Sequence, residues 1–188
     1  MNALVNRRVQ GDPRGPGGPP HMTQHSSPVT NVVFAGLGGQ GVLKASDIAA
    51  EAAFRAGFDV KKSELHGMSQ RGGSVSSDVR FGPHVESPMV PPGAADFLVV
   101  IAPDQIEINR WQLRNGGVLI APSMIDVRAL SNKKALNVAL LGILSALAGI
   151  PEEHWIAAIR SNLPDKLYEA NFAAFELGRQ AARREFHP

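Results

Sequence analysis

The run Val32-Val33-Phe34-Ala35 is wholly apolar and breaks at once into "GLGGQG", the pattern of a buried strand that ends in a tight turn. Apolar residues then recur at helical spacing (Val42, Ala45, Ile48, Ala49, Ala52, Ala53), which predicts a helix over residues 41–56 with Gly57 as its stop. A short strand is expected at 58–62. Residues 74–81 alternate: Val75, Ser77, Val79 and Phe81 share one face, with Ser76, Asp78 and Arg80 on the other, expected to be solvated. After the proline-rich connection "PHVESPMVPPGA", residues 95–102 and the segment "GGVLIAP" read as buried strands, with a helix over 103–114 between them. Helices are predicted over 133–148, 152–161 and 166–185, the middle one entered through Pro151, where a missing N–H costs nothing. Trp111 and Trp155 are expected as helix-borne core anchors. Strands alternating with helices predict an α/β domain, a Rossmann-like three-layer architecture whose sheet is largely parallel, closing with a helical C-terminal region.

Residues 1–29 break this pattern. They are rich in Pro, Gly, Ser and His without periodicity, and are expected to form a disordered tail, leaving 30–188 as one domain. The formal charge of +2 equals the tail's own balance, Arg7, Arg8 and Arg14 against Asp12, so the body is near neutral and a nucleic-acid function gains no support. The chain has no cysteine, which excludes disulfides, thiolate-ligated iron–sulfur clusters and a thiol nucleophile. Its start lacks the apolar run of a signal peptide, and the longest apolar stretch, 135–150, carries Asn137 and Ser145 and is shorter than the roughly 17 residues a membrane span needs. A cytoplasmic protein is the expectation, without membrane or nucleic-acid partners.

Two glycine-rich segments carry the candidate chemistry. Gly36, Gly38 and Gly41 fit G-x-G-x-x-G between a strand and a helix, where backbone amides favour an anion. A dinucleotide site also needs an acid about 20 residues on to hold a ribose. Asp59, 18 beyond Gly41, falls at the start of the second strand, and Glu64 follows Lys61 and Lys62. Phosphate contact and a purely structural or interface role therefore both stand. The second segment, "LHGMSQRGGSVSSDVRFG", gathers His66, Ser69, Gln70 and Arg71 before Gly72 and Gly73. Arg71 offers a planar, permanently charged fork to a carboxylate or phosphate. The alternative is a surface loop with Arg71 paired to Asp78 or Glu64. No Ser–His–Asp arrangement and no metal-ligand spacing accompanies His66.

"GLGGQGV" followed some 25 residues later by "ELHGMSQRGGSVSSDVRFG" resembles the gamma-type domain of 2-oxoacid:ferredoxin oxidoreductases, and the His-Gly-Met-Ser-Gln-Arg-Gly-Gly form resembles their indolepyruvate branch. The likeness spans roughly residues 31–185. It implies the small subunit of a complex that decarboxylates a 2-oxoacid such as indolepyruvate, passes two electrons to ferredoxin and releases an acyl-coenzyme A. Thiamine diphosphate, Mg2+ and the iron–sulfur clusters are then expected in a large alpha subunit, with coenzyme A as co-substrate and no cofactor held firmly by this chain. Gly36, Gly38, Gly39, Gln40, Gly41, His66, Ser69, Gln70, Arg71, Gly72 and Gly73 become the cofactor-binding or interface residues, with Arg71 the one catalytic candidate. The rival class is a stand-alone nucleotide-binding module that uses the glycine-rich turn for NAD or a flavin.

Overall fold

A computed structural model describes residues 29–66 and 72–186. Strand β1 (Thr30–Leu37) leads through the glycine-rich turn into helix α1 (Val42–Arg55), and β2 (Asp59–His66) and β3 (Ser74–Gly82) follow. A strap over residues 83–94 then reaches β4 (Ala95–Val100), the four-residue helix α2 (Ile106–Asn109) and β5 (Leu113–Ile120). Helices α3 (Leu136–Leu147), α4 (Glu152–Asn162) and α5 (Tyr168–Phe186) complete the chain. Gly57, at φ +88°, ends α1 as its position predicts, its N–H donating to the Phe54 carbonyl at 3.0 Å.

The sheet order is β2-β3-β1-β4-β5. β1 pairs in parallel with β4, and β4 with β5, but β3 runs antiparallel to both β1 and β2. The sheet is therefore mixed, with four of its five strands running in one direction and β3 against them. Helix α1 is the crossover between the parallel strands β1 and β2, and it leaves a one-strand gap between them. The connection from His66 to Ser74 is too short to cross the sheet again, so β3 folds back as a hairpin and fills that gap.

One sheet face is covered by helices. Val32, Phe34, Val79, Val99 and Ile120 pack with Ile48, Ala52, Leu140, Ile143 and Trp155 in one continuous core. The opposite face has a thinner cover: Val33, Ala35, Leu98 and Val100 lie under Val90 of the strap, with Ile106 and Leu113 partly buried beside them. This third layer explains two departures from the hydropathy pattern. Asp78 is not solvated; it is only 6% exposed, and its Oδ2 accepts the Val90 N–H at 2.8 Å. Arg80 donates through Nη1 to the carbonyls of Ser87 and Met89, at 2.9 and 3.2 Å, and Asp59 accepts the Val85 N–H at 2.8 Å. The polar side of the alternation holds the strap's backbone instead of facing water. Burial pushes the Asp78 carboxyl above its ordinary range, against the opposing pull of the Val90 N–H and the Arg80 charge.

Trp111 also departs from expectation. It is 62% exposed, whereas Trp155 is buried against Phe175 with ring centroids 6.4 Å apart. Residues 103–114 do not form one helix: 3-10 turns at Pro103–Gln105 and Arg110–Gln112 flank α2, and the chain is already extended at Leu113. With so little helix, Ile108 and Trp111 have no apolar stripe to join.

α5 packs chiefly on α3. A Cβ on Gly142 would overlap the Phe175 carbonyl oxygen, and one on Gly178 would overlap that of Ala139, so the two backbones touch directly at their crossing. Gly142→Ala or Gly178→Ala is expected to lower unfolding free energy by about 1–3 kcal/mol, or more where the helices cannot separate, as read by denaturant titration. Asp78 gives a pH signature. Because its folded pKa is raised, its contribution to stability is complete below the ordinary carboxylate range and is lost as pH rises through the raised value. Asp78→Asn should match the parent's stability at acid pH and gain on it as pH rises through that window; a constant difference across pH would refute this.

Candidate functional site

The turn between β1 and α1 is set by close approach and by handedness. A Cβ on Gly36 would lie 2.9 Å from Val42 Cγ2 and 3.0 Å from Gln40 Oε1. Gly39 and Gly41 sit at φ +89° and +80°, in the left-handed region that other residues enter at a cost. Gln40 closes the turn on itself, its N–H donating to the Leu37 carbonyl at 3.1 Å and its Oε1 accepting the Leu37 N–H at 2.9 Å. The side-chain oxygen that the sequence offered to a ligand or partner is therefore engaged within the turn.

α1 starts without a side-chain cap and without an acidic residue in its first turn; Lys44 lies there instead. A cavity of about 440 Å³ opens beside it, lined by Leu37, Gly38, Gly39, Gly41, Val42, Leu43, Lys44 and Val75. The first amides of a helix have no partner within it, so this cavity has a positive edge.

The two glycine-rich segments meet. Leu37 pairs with Ser74, and the Gly38 N–H donates to the Gly73 carbonyl at 2.9 Å. A Cβ on Gly38 would lie 3.6 Å from the Gly72 nitrogen. His66, the last residue of β2, pairs with Val75 and so brings the other end of the hairpin connection to the same sheet edge. Gly36, Gly38, Gly39, Gln40, Gly41, Gly72, Gly73 and the backbone of His66 thus come together. Ser69, Gln70 and Arg71 lie outside the described residues. Asp78 accepts the Val90 N–H of the strap, and Glu64 bonds Lys62 among its partners.

Two further residues tie this edge together. Asn137, in the first turn of α3, is 7% exposed, and its Nδ2 donates to the Gly41 carbonyl at 3.2 Å. Gln105, 5% exposed and just past β4, accepts the Ser74 hydroxyl at 2.8 Å. Asn137 was visible in sequence as an amide interrupting an apolar helix; nothing in the sequence distinguished Gln105. The connections after β1, β2 and β4 and the first turn of α3 are in this way joined by hydrogen bonds.

The same geometry bears on a dinucleotide. Asp59 stands at the opposite end of β2 from the turn, roughly 23 Å away along an eight-residue strand, and its carboxylate holds the Val85 N–H. It cannot reach a ribose beside Gly36–Gly41. Among the described residues, no group of three His, Asp or Glu could hold a metal ion.

Gly39 and Gly41 separate two constraints. A Cβ on Gly39 meets nothing within 4 Å, while one on Gly41 would lie 2.5 Å from Asn137 Nδ2. Gly39→Ala should therefore cost about 1–2 kcal/mol through backbone handedness alone, and Gly41→Ala distinctly more. Equal losses in thermal or denaturant unfolding would remove Asn137 from the account.

Residues 31–181 match the pyruvate ferredoxin/flavodoxin oxidoreductase family. The indolepyruvate oxidoreductase subunit IorB of Thermococcus kodakarensis is 34% identical over 81% of this chain and 96% of its own length, and that of Pyrococcus horikoshii is 33% identical over the same shares. The crystal structure of a keto/oxoacid ferredoxin oxidoreductase gamma subunit from Geobacter sulfurreducens is similar with a TM-score of 0.71 at 26% identity, covering 82% of this chain and 99% of that one. The two joined glycine segments at the sheet edge are thus set in a fold and a sequence that agree, and the chain belongs to the pyruvate ferredoxin/flavodoxin oxidoreductase family.

Proposed function

We propose that this chain is the small subunit of a 2-oxoacid:ferredoxin oxidoreductase of the indolepyruvate type. The observation that carries the reading is the bond from Gly38 to Gly73, which brings both glycine-rich segments to one edge, in a chain similar to IorB over 81% of its length. That edge faces a large alpha subunit and closes its active site. In the reaction the 2-oxoacid loses carbon dioxide, two electrons pass to ferredoxin, and the acyl group is left on the coenzyme A sulfur. Thiamine diphosphate, Mg2+ and iron–sulfur clusters reside in the alpha subunit; this chain, having no cysteine, cannot ligate a cluster through thiolates.

The contribution of the small subunit is shape and charge at the edge. The first amides of α1, which have no partner within the helix, and the Lys44 ammonium, 4.0 Å from Asp47 Oδ2, suit a phosphate group of coenzyme A. Arg71 supplies charge to the substrate carboxylate, to the coenzyme A phosphates or to a carboxylate across the interface. Ser69, Gln70 and His66 complete that contact. Among the described residues no helix is long and apolar enough to cross a membrane, which accords with a complex working in the cytoplasm beside ferredoxin.

Co-expression with the alpha subunit from the same genome, followed by assay of indolepyruvate-dependent reduction of an electron acceptor with and without coenzyme A, tests the proposal. Activity should require both chains. Arg71→Ala should lower turnover at least about tenfold, as expected for a lost charged contact, with the complex still assembled. Activity of the alpha subunit alone, or no complex between the chains, would reject the reading.

A further inference from the structure

The apolar stretch that becomes α3 carries one polar interruption in its first turn, and the structure shows what it does. Asn137 is flanked by Val138, Ala139, Leu140 and Leu141, all buried. An amide in such surroundings is costly unless its hydrogen bonds are made, and an apolar residue would pack there without that demand. Its Oδ1 accepts the neighbouring Val138 N–H at 3.0 Å, and its Nδ2 reaches across 96 positions to the Gly41 carbonyl. That carbonyl also accepts the first helical bond of α1, from the Ala45 N–H at 2.9 Å.

The fit is reciprocal. Asn137 Nδ2 occupies the space into which any side chain at position 41 would project, 2.5 Å from where its Cβ would stand. The left-handed Gly41 and the buried amide therefore fix each other, and with them the direction of the amides at the start of α1. The constraint continues through the Gly38–Gly73 bond to the foot of β3, and Ser74 passes it on to Gln105.

We propose that Asn137 is a positioning residue: it touches no substrate, but registers the glycine-rich turn against α3 and so holds the sheet edge in the shape the reaction needs. This rests on the function proposed above for that edge, and it adds a residue that neither glycine segment contains.

The test compares Asn137→Asp with Ser145→Ala. The first keeps the side-chain shape and the bond to Val138, but replaces the donor to Gly41 with an acceptor. The second removes another buried polar group of α3, one that bonds the Gly142 carbonyl within the helix and lies two turns from the edge. Amide hydrogen exchange on the full chain is read at Gly38, Gln40 and Ala45, with Ala56 at the far end of α1 as reference. In Asn137→Asp the three amides near the turn should exchange at least about tenfold faster while Ala56 keeps its parent rate; Ser145→Ala should leave the three unchanged relative to Ala56. Should Asn137→Asp fail to fold, Asn137→Ala replaces it with the same expectation.

In the co-expressed complex, Asn137→Asp should lower kcat about tenfold or more, as small misplacements do, with assembly retained and KM for the electron acceptor unchanged. Ser145→Ala should keep the parent's kcat. Uniform acceleration of exchange along α1, no acceleration at all, or local acceleration with the parent's kcat would each overturn the proposal. If the parent complex is itself inactive, the proposed function falls, and the exchange rates alone decide whether Asn137 sets the turn.

Discussion

The two-sided pairing of β1 is the constraint on which the rest of this structure depends. With β4 it runs parallel, so that the chain leaves both strands at the same edge; with β3 it runs antiparallel, so that β3 begins where β1 ends. One strand in the middle of the sheet thereby brings the glycine-rich turn, the β2–β3 connection and the segment after β4 into contact. No side chain has to reach for this: the Gly38–Gly73 bond is a backbone bond, and it follows from Leu37 being opposite Ser74. Glycine is what the turn then demands, because a Cβ would run into the side chains of Val42 and Gln40 at Gly36 and of Asn137 at Gly41.

Much of this was legible in the sequence because it is local. The apolar run at Val32–Ala35, the helical spacing from Val42 to Ala53 and the three C-terminal helices all lie within a few residues of where the pattern puts them. The direction of β3 was harder to see, since antiparallel pairing leaves no mark on the alternation of Val75, Ser77, Val79 and Phe81. It is written instead in the shortness of the link from His66 to Ser74, a feature of length and not of hydropathy. The same alternation misled about Asp78 and Arg80. A polar strand face normally means water, but here it means the strap, whose backbone N–H and C=O groups need partners once they lie against the sheet. Trp111 belongs by pattern to a helix, but that helix breaks after one turn, and an aromatic side chain carries no sign of its own about which way it points.

The close contacts between distant segments were the least legible. Gly142 and Gly178 look like weak points in good helices, since glycine is a poor helix former. They become intelligible only when α3 and α5 are seen to cross backbone to backbone. That crossing fixes where α3 lies, and hence where its first turn delivers Asn137. Within the same helix bundle, Arg179 of α5 pairs with Glu152 of α4 at 3.0 Å, which ties those two helices together. The C-terminal helices thus do more than cover the sheet. They determine the position from which α3 holds the glycine-rich turn.

The chemistry of the edge follows from what these contacts leave over. Gln40 Oε1 is engaged within its own turn, the Ser74 hydroxyl with Gln105, and Asn137 Nδ2 with Gly41, so these groups serve the shape of the edge. The first amides of α1 and the Lys44 ammonium, the latter 4.0 Å from Asp47 Oδ2, stand beside a cavity lined by Leu37, Val42, Leu43 and Val75. A surface of this kind suits a subunit of the family to which the chain belongs: among the described residues it offers backbone amides and a cation beside an apolar cavity. The absence of cysteine from the whole chain fits that role, because it leaves the chain no thiolate with which to ligate an iron–sulfur cluster.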